Sequence, residues 1–260
     1  YIFDGKPPEL KLRTQLARRE RKEKAHEKYK QAQDEEDIIS MHKYAKQVTY
    51  LNNELIQESK ELIKALGLPV IQSPQESDAQ GSFIVEQGDL WAFASSDADC
   101  LLHGCPRTIP NLTLSQKRKL PGGKFVYIQP ELIELKDVLK HLNLNQDQLI
   151  ILGILTGTDY NPGGIKGIGP KKALNLVQKY KSFDKLFEEL KPDFNWKQIY
   201  AIFKSMPITK NYQLAWSPID REKVLKILVD EHDFSQERIE KTLNQRPKKS
   251  EQKGLSSWMK

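Results

Sequence analysis

Residues 155–174 read Leu-Thr-Gly-Thr-Asp-Tyr-Asn-Pro-Gly-Gly-Ile-Lys-Gly-Ile-Gly-Pro-Lys-Lys-Ala-Leu. In this stretch a single acid, Asp159, follows an apolar segment, and a glycine-rich run then leads into Pro170. Glycine lets a backbone approach a ligand closely, and proline suits the first turn of a helix, so the pattern predicts a helix N-terminus that faces an anion. A glycine-rich turn between two helices is the simpler alternative. The residues that would contact the anion are Gly167, Gly169, Lys171 and Lys172.

Charge is distributed unevenly along the chain. Its 260 residues include 41 Lys and Arg against 35 Asp and Glu, and the basic residues are concentrated in 11–30 and 166–181. Such clusters favour a polyanionic partner over a merely solvated surface. Cys100 and Cys105 lack a second pair at metal-ligand spacing, which predicts reduced thiols in an intracellular protein and disfavours a zinc site. No segment reaches the roughly 18 apolar residues of a membrane span, and no signal peptide is visible, so the sequence predicts a cytoplasmic protein without a membrane partner.

The first part of the chain alternates strand and helix patterns. The opening residues predict a buried strand that ends at Asp4. Residues 9–33 contain no proline or glycine and are strongly basic, which predicts a helix with little apolar surface to bury. A solvated surface helix and an arm over a nucleic acid are both open interpretations of this helix. From 36 to 66 apolar residues recur near helical spacing, so the later half of this second helix should pack on the core.

Further acids stand where predicted elements begin or end. Glu76 and Asp78 follow a proline, which predicts a helix start with both acids in its first turn, where acids are also common as simple caps. Asp97 and Asp99 follow an apolar run that begins at Leu90 and is interpreted as a strand. Ligands of parallel α/β sheets bind at the carboxyl ends of strands, although a polar turn is the alternative for this pair.

These acids, with Asp4 and Asp159, make six carboxylates at the ends of elements. Without a cluster of His or Cys, such oxygen ligands suit Mg²⁺ or Mn²⁺. Two ions about 3.5 to 4 Å apart can activate a water molecule and stabilise the leaving oxygen in phosphodiester hydrolysis. The set therefore indicates a two-metal hydrolase.

The rest of the chain changes from mixed to helical patterns. Strands are predicted at 107–112 and 124–128, on either side of a polar loop, and helices at 130–142, 146–156, 170–180, 183–190, 196–206 and twice across 221–244. Strands and helices followed by helices alone predict an α/β core and then a helical DNA-binding part. The tail after 246 is polar with a few isolated hydrophobes, which an unstructured tail would explain.

Taken together, the motifs resemble the flap endonucleases of the archaeal type, among the structure-specific 5′ nucleases. The motifs are Phe-Asp4-Gly-Lys-Pro-Pro, Pro-x-Glu76-x-Asp78-Ala, Asp97-x-Asp99, Gly-x-Asp159-Tyr and the Gly-Ile-Gly-Pro-Lys-Lys-Ala of a helix-hairpin-helix. The resemblance implies an α/β fold with a mixed, mostly parallel central sheet flanked by helices, a PIN-like nuclease core. It also implies a core over 1–160 with a helical arch at about 9–66, a helical DNA-binding region over 161–246 and a flexible tail over 247–260.

The same resemblance implies hydrolysis of 5′ flaps at junctions of single-stranded and duplex DNA, by two Mg²⁺ ions with Mn²⁺ as a substitute, in Okazaki fragment maturation and repair. Asp4, Glu76, Asp78 and Asp97 would serve the more catalytic ion, and Asp99 and Asp159 the second. Lys11 and Arg18 would stabilise negative charge that develops on the scissile phosphate. The helix-hairpin-helix would hold a K⁺ ion against the duplex. For an archaeal source, the resemblance also implies a location in association with the nucleoid.

The tail resembles the binding box for a sliding clamp of the PCNA type, with Gln252, Leu255, Trp258 and Met259 as its contact residues. Met259 stands where a second aromatic residue is usual, and Asp78 stands where the family usually has a glutamate. The family's first strand and a seventh carboxylate precede the Phe-Asp4-Gly motif, so we expect either a truncated chain or a separate N-terminal polypeptide. The alternative function is a DNA- and clamp-binding subunit that stays inactive until such a polypeptide completes the active site, and a Holliday-junction or excision-repair relative is a weaker one.

Overall fold

The computed structural model describes residues 1–38, 40, 41, 44, 45, 52–112, 117–120 and 123–244. The predicted clamp-binding tail lies outside these residues, as does much of the first half of the helix predicted over 36–66. No helix in the described part of the chain is both long enough and apolar enough to cross a membrane.

The chain divides into two compact units. The larger contains residues 2–49 and 71–212, and the smaller contains Tyr1, 50–70 and 213–260. All six predicted metal-binding carboxylates belong to the larger unit. The boundary predicted between 160 and 161 falls inside that unit.

The strands of the described residues are short and form pairs. They are β1 (Ile2–Phe3), β2 (Ile71–Gln72), β3 (Arg107–Thr108), β4 (Lys117–Lys119), β5 (Phe125–Tyr127) and β6 (Ile133–Glu134). β1 pairs with β2 in parallel, with Ile2 opposite Ile71. The β3–β6 and β4–β5 pairs are both antiparallel. The parallel pair therefore brings the end of β1 next to the end of β2.

One predicted strand and the predicted start of one helix were wrong. The run from Leu90 forms only a single parallel bridge, between Phe93 and Thr108, because its alanines favour strands weakly and β3 offers just two residues to pair with. The helix predicted over 130–142 begins at Leu135 instead. Its first residues are drawn into β6 by pairing with β3, which a local pattern cannot reveal.

The helices follow the predicted order more closely. In chain order they are α1 (Leu12–Asp34), α2 (Asn53–Ala65), α3 (Ser77–Glu86), α4 (Asp99–Leu102), α5 (Leu135–Leu142), α6 (Gln146–Thr156), α7 (Pro170–Lys179), α8 (Phe183–Leu190), α9 (Trp196–Ser205), α10 (Arg221–Leu225) and α11 (Gln236–Asn244). A 3₁₀ turn, Glu9–Lys11, precedes α1, and a π-helical turn, Lys226–Asp230, continues α10. α1 confirms the predicted basic helix.

The core of the larger unit is built around α6. The side chains of Ile150, Ile151, Ile154 and Leu155 are fully buried there. They belong to one cluster with apolar residues of α7, α8 and α9. A helix that is apolar on all sides belongs at the centre of a unit, and α6 accordingly has neighbours around it. Its C-terminus is therefore a fixed point, and Asp159 follows it by three residues.

The smaller unit packs α2 beside α10. Asn52 caps α2 by accepting a hydrogen bond from the Leu55 nitrogen at 2.8 Å. At the other end the Asp220 nitrogen donates to the Ala65 carbonyl at 2.8 Å, and the Lys223 ammonium lies 3.1 Å from the Glu61 carboxylate. The later half of the second predicted helix is thus confirmed as α2.

Candidate active site

Asp4 is placed by the parallel pair of strands. It directly follows β1, whose last carbonyl, on Phe3, accepts hydrogen bonds from the Ser73 nitrogen at 2.9 Å and the Ser73 hydroxyl at 2.7 Å. One Asp4 oxygen, Oδ1, accepts a 2.7 Å hydrogen bond from the nitrogen of Ser77, the first residue of α3. A carboxylate at this position is favoured by the unpaired amides of a helix N-terminus. Asp4 therefore faces the start of α3.

Glu76 and Asp78 lie on either side of that helix start. The predicted start at the proline was too early, because Glu76 has extended backbone angles and is the residue that precedes the helix. Asp78 lies in the first turn, as predicted. Glu76 makes no capping hydrogen bond with its side chain, which is directed instead to Lys11, with 2.6 Å between Oε2 and Nζ.

Asp97 and Asp99 lie on a turn that is tied to α3. The Ser95 hydroxyl donates to Asp78 Oδ1 at 2.9 Å, and the Asp97 nitrogen donates to the Ser95 hydroxyl oxygen at 3.1 Å. Asp97 Oδ1 in turn accepts from the nitrogen of Asp99, the first residue of α4, at 3.0 Å. These bonds link carboxylates from two separate segments of the chain.

Asp159 lies on a turn whose first residue, Gly157, has a backbone conformation that favours glycine. Gly157 has φ of 112°, and a methyl group on it would lie 2.7 Å from the Gly164 nitrogen. The buried Asn161 closes the turn: its Oδ1 accepts from the Thr158 hydroxyl at 2.8 Å, and its Nδ2 donates to the Ile154 carbonyl at 2.7 Å. Thus the acid is fixed directly to the end of α6.

Two cations from the start of the basic helix enter the acidic cluster. The Lys11 ammonium lies 2.6 Å from Glu76 Oε2 and 3.2 Å from Asp159 Oδ2, and Arg18 Nη2 lies 2.7 Å from Asp159 Oδ1. The Thr14 hydroxyl also donates to the Asp159 carbonyl at 2.5 Å. Lys11 and Arg18 are seven residues apart, close to two helical turns, so both lie on one side of this segment.

The pKa values of the acids reflect their crowding. Burial, followed by repulsion from Asp97, raises the pKa of Asp99 to about 7. Burial also raises the pKa of Asp78 to about 6, although the hydrogen bond from Ser95 opposes the rise. For Lys11, burial disfavours the charge, but hydrogen bonds and attraction from Glu76 and Asp159 outweigh it and raise the pKa. These shifts agree with the contacts above, in which Lys11 lies between Glu76 and Asp159, and Ser95 links Asp78 to Asp97.

The donor set of this cleft fits hard divalent cations, because every predicted ligand is a carboxylate and the acids repel one another. Among the described residues, no three side chains of His, Cys, Asp or Glu are spaced to surround an ion in this arrangement. Lys11 and Arg18 supply the nearest positive charge instead.

The glycine-rich loop ends at the start of α7. Gly163, Gly164 and Gly167 all have positive φ, and Pro170 is the first residue of the helix, as predicted. Gly169 precedes the helix, and a methyl group on it or on Gly167 would meet no atom within 4 Å. Lys171 and Lys172 are exposed in the first turn. The loop therefore presents an open helix N-terminus flanked by lysines.

Ser95, Thr158 and Asn161 organise the cleft, and the sequence reasoning missed all three. Asn161 carried a usable signal, since asparagine commonly hydrogen-bonds the backbone of its own turn. Ser95 carried no such signal, because the sequence around it does not distinguish it from its exposed neighbour Ser96.

Comparison with known proteins gives consistent similarities. The family model described as the XPG I-region matches residues 67–159. The chain is 46% identical to flap endonuclease 1 of Staphylothermus marinus over 268 residues, which cover 99% of this chain and 77% of that protein. It is 45% identical to flap endonuclease 1 of Pyrococcus furiosus, with coverage of 100% and 77%.

Solved structures extend the comparison to the fold. Flap endonuclease-1 from Methanococcus jannaschii matches with a TM-score of 0.70 at 41% identity, over 94% of this chain and 73% of that one. The catalytic core of Rad2 in complex with DNA substrate matches with a TM-score of 0.65 over 94% of this chain and 77% of that one; at 18% identity this likeness concerns the fold alone. The predicted α/β, PIN-like nuclease fold is thereby confirmed. The inactive-subunit alternative and the separate N-terminal polypeptide find no support in these matches.

Proposed function

Because this chain belongs to the flap endonuclease 1 family, and is a structure-specific 5′ flap endonuclease, we propose that its six clustered carboxylates hold the two Mg²⁺ ions of that reaction. The observation that supports this proposal is the set of contacts that bring the acids together: Lys11 pairs with both Glu76 and Asp159, and Ser95 links Asp78 to Asp97. Mn²⁺ would be accepted in place of Mg²⁺, since both prefer oxygen ligands.

The ligands divide between the two ions. The more catalytic ion would be held by Asp4, Glu76, Asp78 and Asp97, and the second ion would be held by Asp99 and Asp159. Bound divalent ions would supply Lewis acidity toward the phosphate and lower the pKa of the attacking water. Each side chain is anchored for this task by neighbours such as Ser77 for Asp4.

Lys11 and Arg18 contact the scissile phosphate. Both already point their charged groups at the carboxylates, within 3.2 Å of Asp159. A cation held at this place stabilises the negative charge that develops on the phosphate oxygens during cleavage. Their ion pairs with the acids must open for this contact, since each cation cannot serve both partners fully.

The loop before α7 binds the duplex part of the substrate. Gly167 and Gly169 let phosphate oxygens approach the free amides of the helix, and Lys171 and Lys172 add charge. Carbonyl oxygens of the loop would hold a K⁺ ion, which would supply further positive charge for the duplex phosphates. The partner is branched DNA with a 5′ flap, and the Rad2 core that shares this fold was solved with DNA substrate.

The remaining elements of the proposal rest on sequence motifs. Gln252, Leu255, Trp258 and Met259 bind a sliding clamp of the PCNA type, and the enzyme acts in Okazaki fragment maturation and repair, in the cytoplasm beside the nucleoid. A clamp contact through a short tail would raise the local concentration of enzyme at replicated DNA.

Cleavage of a labelled 5′-flap DNA with Mg²⁺ tests the assignment. Asp97→Asn should remove cleavage but leave flap binding intact, because it removes a ligand charge and keeps the shape of the side chain. Asp137→Asn is the matched control, since Asp137 is an exposed acid in the first turn of α5. Unchanged cleavage by Asp97→Asn would refute the metal assignment.

A further inference from the structure

Ser95 joins the carboxylate of Asp78 to the backbone of Asp97, and these two acids come from different segments of the chain. Its hydroxyl is 2.9 Å from Asp78 Oδ1 and 3.1 Å from the Asp97 nitrogen. An amide can only donate and an ionised carboxylate can only accept, so the one hydroxyl proton goes to Asp78 while the oxygen accepts from Asp97. Both hydrogen-bonding roles of the side chain are therefore used on predicted metal ligands.

A polar turn explains only half of this arrangement. Ser and Thr hydroxyls often accept from an amide two residues ahead, as Ser95 does from Asp97. The bond to Asp78 crosses 17 residues of sequence to the first turn of α3 and contributes nothing to the local turn. What it does fix is the direction of the Asp78 carboxylate.

Within the described part of the chain, the other hydrogen bonds of Asp78 go through its backbone. Its carbonyl accepts from the Ser82 hydroxyl at 2.6 Å, and Ser82 also contacts the Cys100 carbonyl at 3.2 Å. These bonds set the distance between α3 and α4 but leave the carboxylate free to rotate. With one Asp78 oxygen held by Ser95, the carboxylate has one preferred direction.

We propose that Ser95 is a positioning residue for the metal centre, which sets divalent-ion affinity by orienting the Asp78 carboxylate and the turn that carries Asp97. This inference rests on the proposed function, because it assumes that these two acids bind the ions. Hydrogen-bond partners that orient metal ligands typically change metal affinity about 10- to 100-fold when they are removed.

Mn²⁺ binding to the full chain without DNA tests this role, measured by electron paramagnetic resonance of the free ion. Ser95→Thr and Ser95→Val have the same shape and differ only in the hydroxyl, so their comparison isolates the hydrogen bonds. We expect Ser95→Thr to bind Mn²⁺ like the wild type and Ser95→Val to bind it about tenfold more weakly. Ser96→Ala, at the exposed neighbouring position, should bind normally.

Thermal unfolding in EDTA accompanies the titrations and separates an affinity change from a loss of folding. Equal Mn²⁺ affinity of the Thr and Val proteins would overturn the inference, and so would an equal loss in Ser96→Ala. If the wild-type chain binds no Mn²⁺ at all, the proposed function fails with it. If the wild type binds and the variants do not differ, the role of Ser95 alone fails.

Discussion

Lys11 lies between Glu76 and Asp159, and both carboxylates attract its positive charge. Its ammonium contacts both carboxylates, and its side chain is 16% exposed. A divalent ion that enters the cleft must share these acids with Lys11 or displace it. Lys11 is a counter-ion for the acids in this structure, and the proposed function assigns it a second role as a phosphate contact during cleavage.

Lys11→Met should raise Mn²⁺ affinity in the absence of DNA, while flap cleavage falls. Removing one positive charge beside the ligands favours the ion, and a change of ~1.4 kcal/mol is already tenfold in affinity. Titration with Mn²⁺ measures the first effect and cleavage under single-turnover conditions the second. Arg19→Met removes the same charge from α1, where Arg19 pairs only with Glu23 among the described contacts, and should change neither. Weaker Mn²⁺ binding by Lys11→Met would contradict this account.

Asp99 makes the metal-free protein sensitive to pH. Its pKa of about 7 in the folded chain lies above that of an unfolded aspartate, so the folded state holds the proton more tightly. The resulting stability is present at low pH and is lost as the pH rises through about 7. His103 acts in the opposite direction, because burial lowers its pKa to about 4 and stability is lost as the pH falls from 6.5 toward that value.

Asp99→Asn should therefore stabilise the protein in EDTA at pH 8, by at most about 4 kcal/mol. The advantage over the wild type should shrink as the pH falls toward 4, and the difference between the two proteins cancels the contribution of His103. Thermal unfolding across this pH range provides the measurement. Added Mg²⁺ should stabilise the wild type more than the variant. A variant less stable than the wild type at pH 8 in EDTA would show that burial and repulsion from Asp97 do not govern the stability contribution of Asp99.

The elements differ in how far local sequence determines them. α6 and α8 have the predicted bounds, since Asn145 and Ser182 cap them and the apolar spacing continues to their ends. β6 was missed, and the run from Leu90 was overestimated, because strands of two residues depend on a partner that is distant in sequence. The six acids were identified from their places at element ends, whereas the links between them, such as Ser95, depend on tertiary contacts.

The turn from α6 to Asp159 depends on Gly157. Gly157→Ala should destabilise the protein by roughly 1 to 3 kcal/mol and weaken Mn²⁺ binding, because the methyl group would strike the Gly164 backbone and shift Asp159. Gly163→Ala is the matched control, since Gly163 also has positive φ, 84°, but its methyl group would meet no atom within 4 Å. Denaturant unfolding and Mn²⁺ titration of both variants make the comparison. Equal effects of the two substitutions would mean that the strain of a positive φ, and not the contact with the Gly164 backbone, accounts for the loss of stability.

At the scale of the whole molecule, positive charge is arranged for a polyanion despite a net charge of only +6. The basic residues of α1 and of the loop before α7 lie in the same compact unit as the acidic cleft. Contacts to phosphates release counter-ions from the DNA, and they carry little information about its base sequence. Binding should therefore depend on salt and on the shape of the junction more than on base sequence.

Flap DNA binding should weaken steeply with salt, and the double variant Lys171→Glu with Lys172→Glu should reduce the slope of log K against log salt by about 2. Fluorescence anisotropy in EDTA, at several salt concentrations and with two unrelated flap sequences, measures the slope without cleavage. Lys179→Glu, an equally exposed lysine in the last turn of α7, controls for net charge, because it lies about 12 Å along the helix from its N-terminus. Because Lys179→Glu changes the net charge by half as much as the double variant, a reduction about half as large would mean that overall charge attracts the DNA. A smaller effect of Lys179→Glu assigns the phosphate contacts to the N-terminus of α7, where the loop glycines leave the amides accessible.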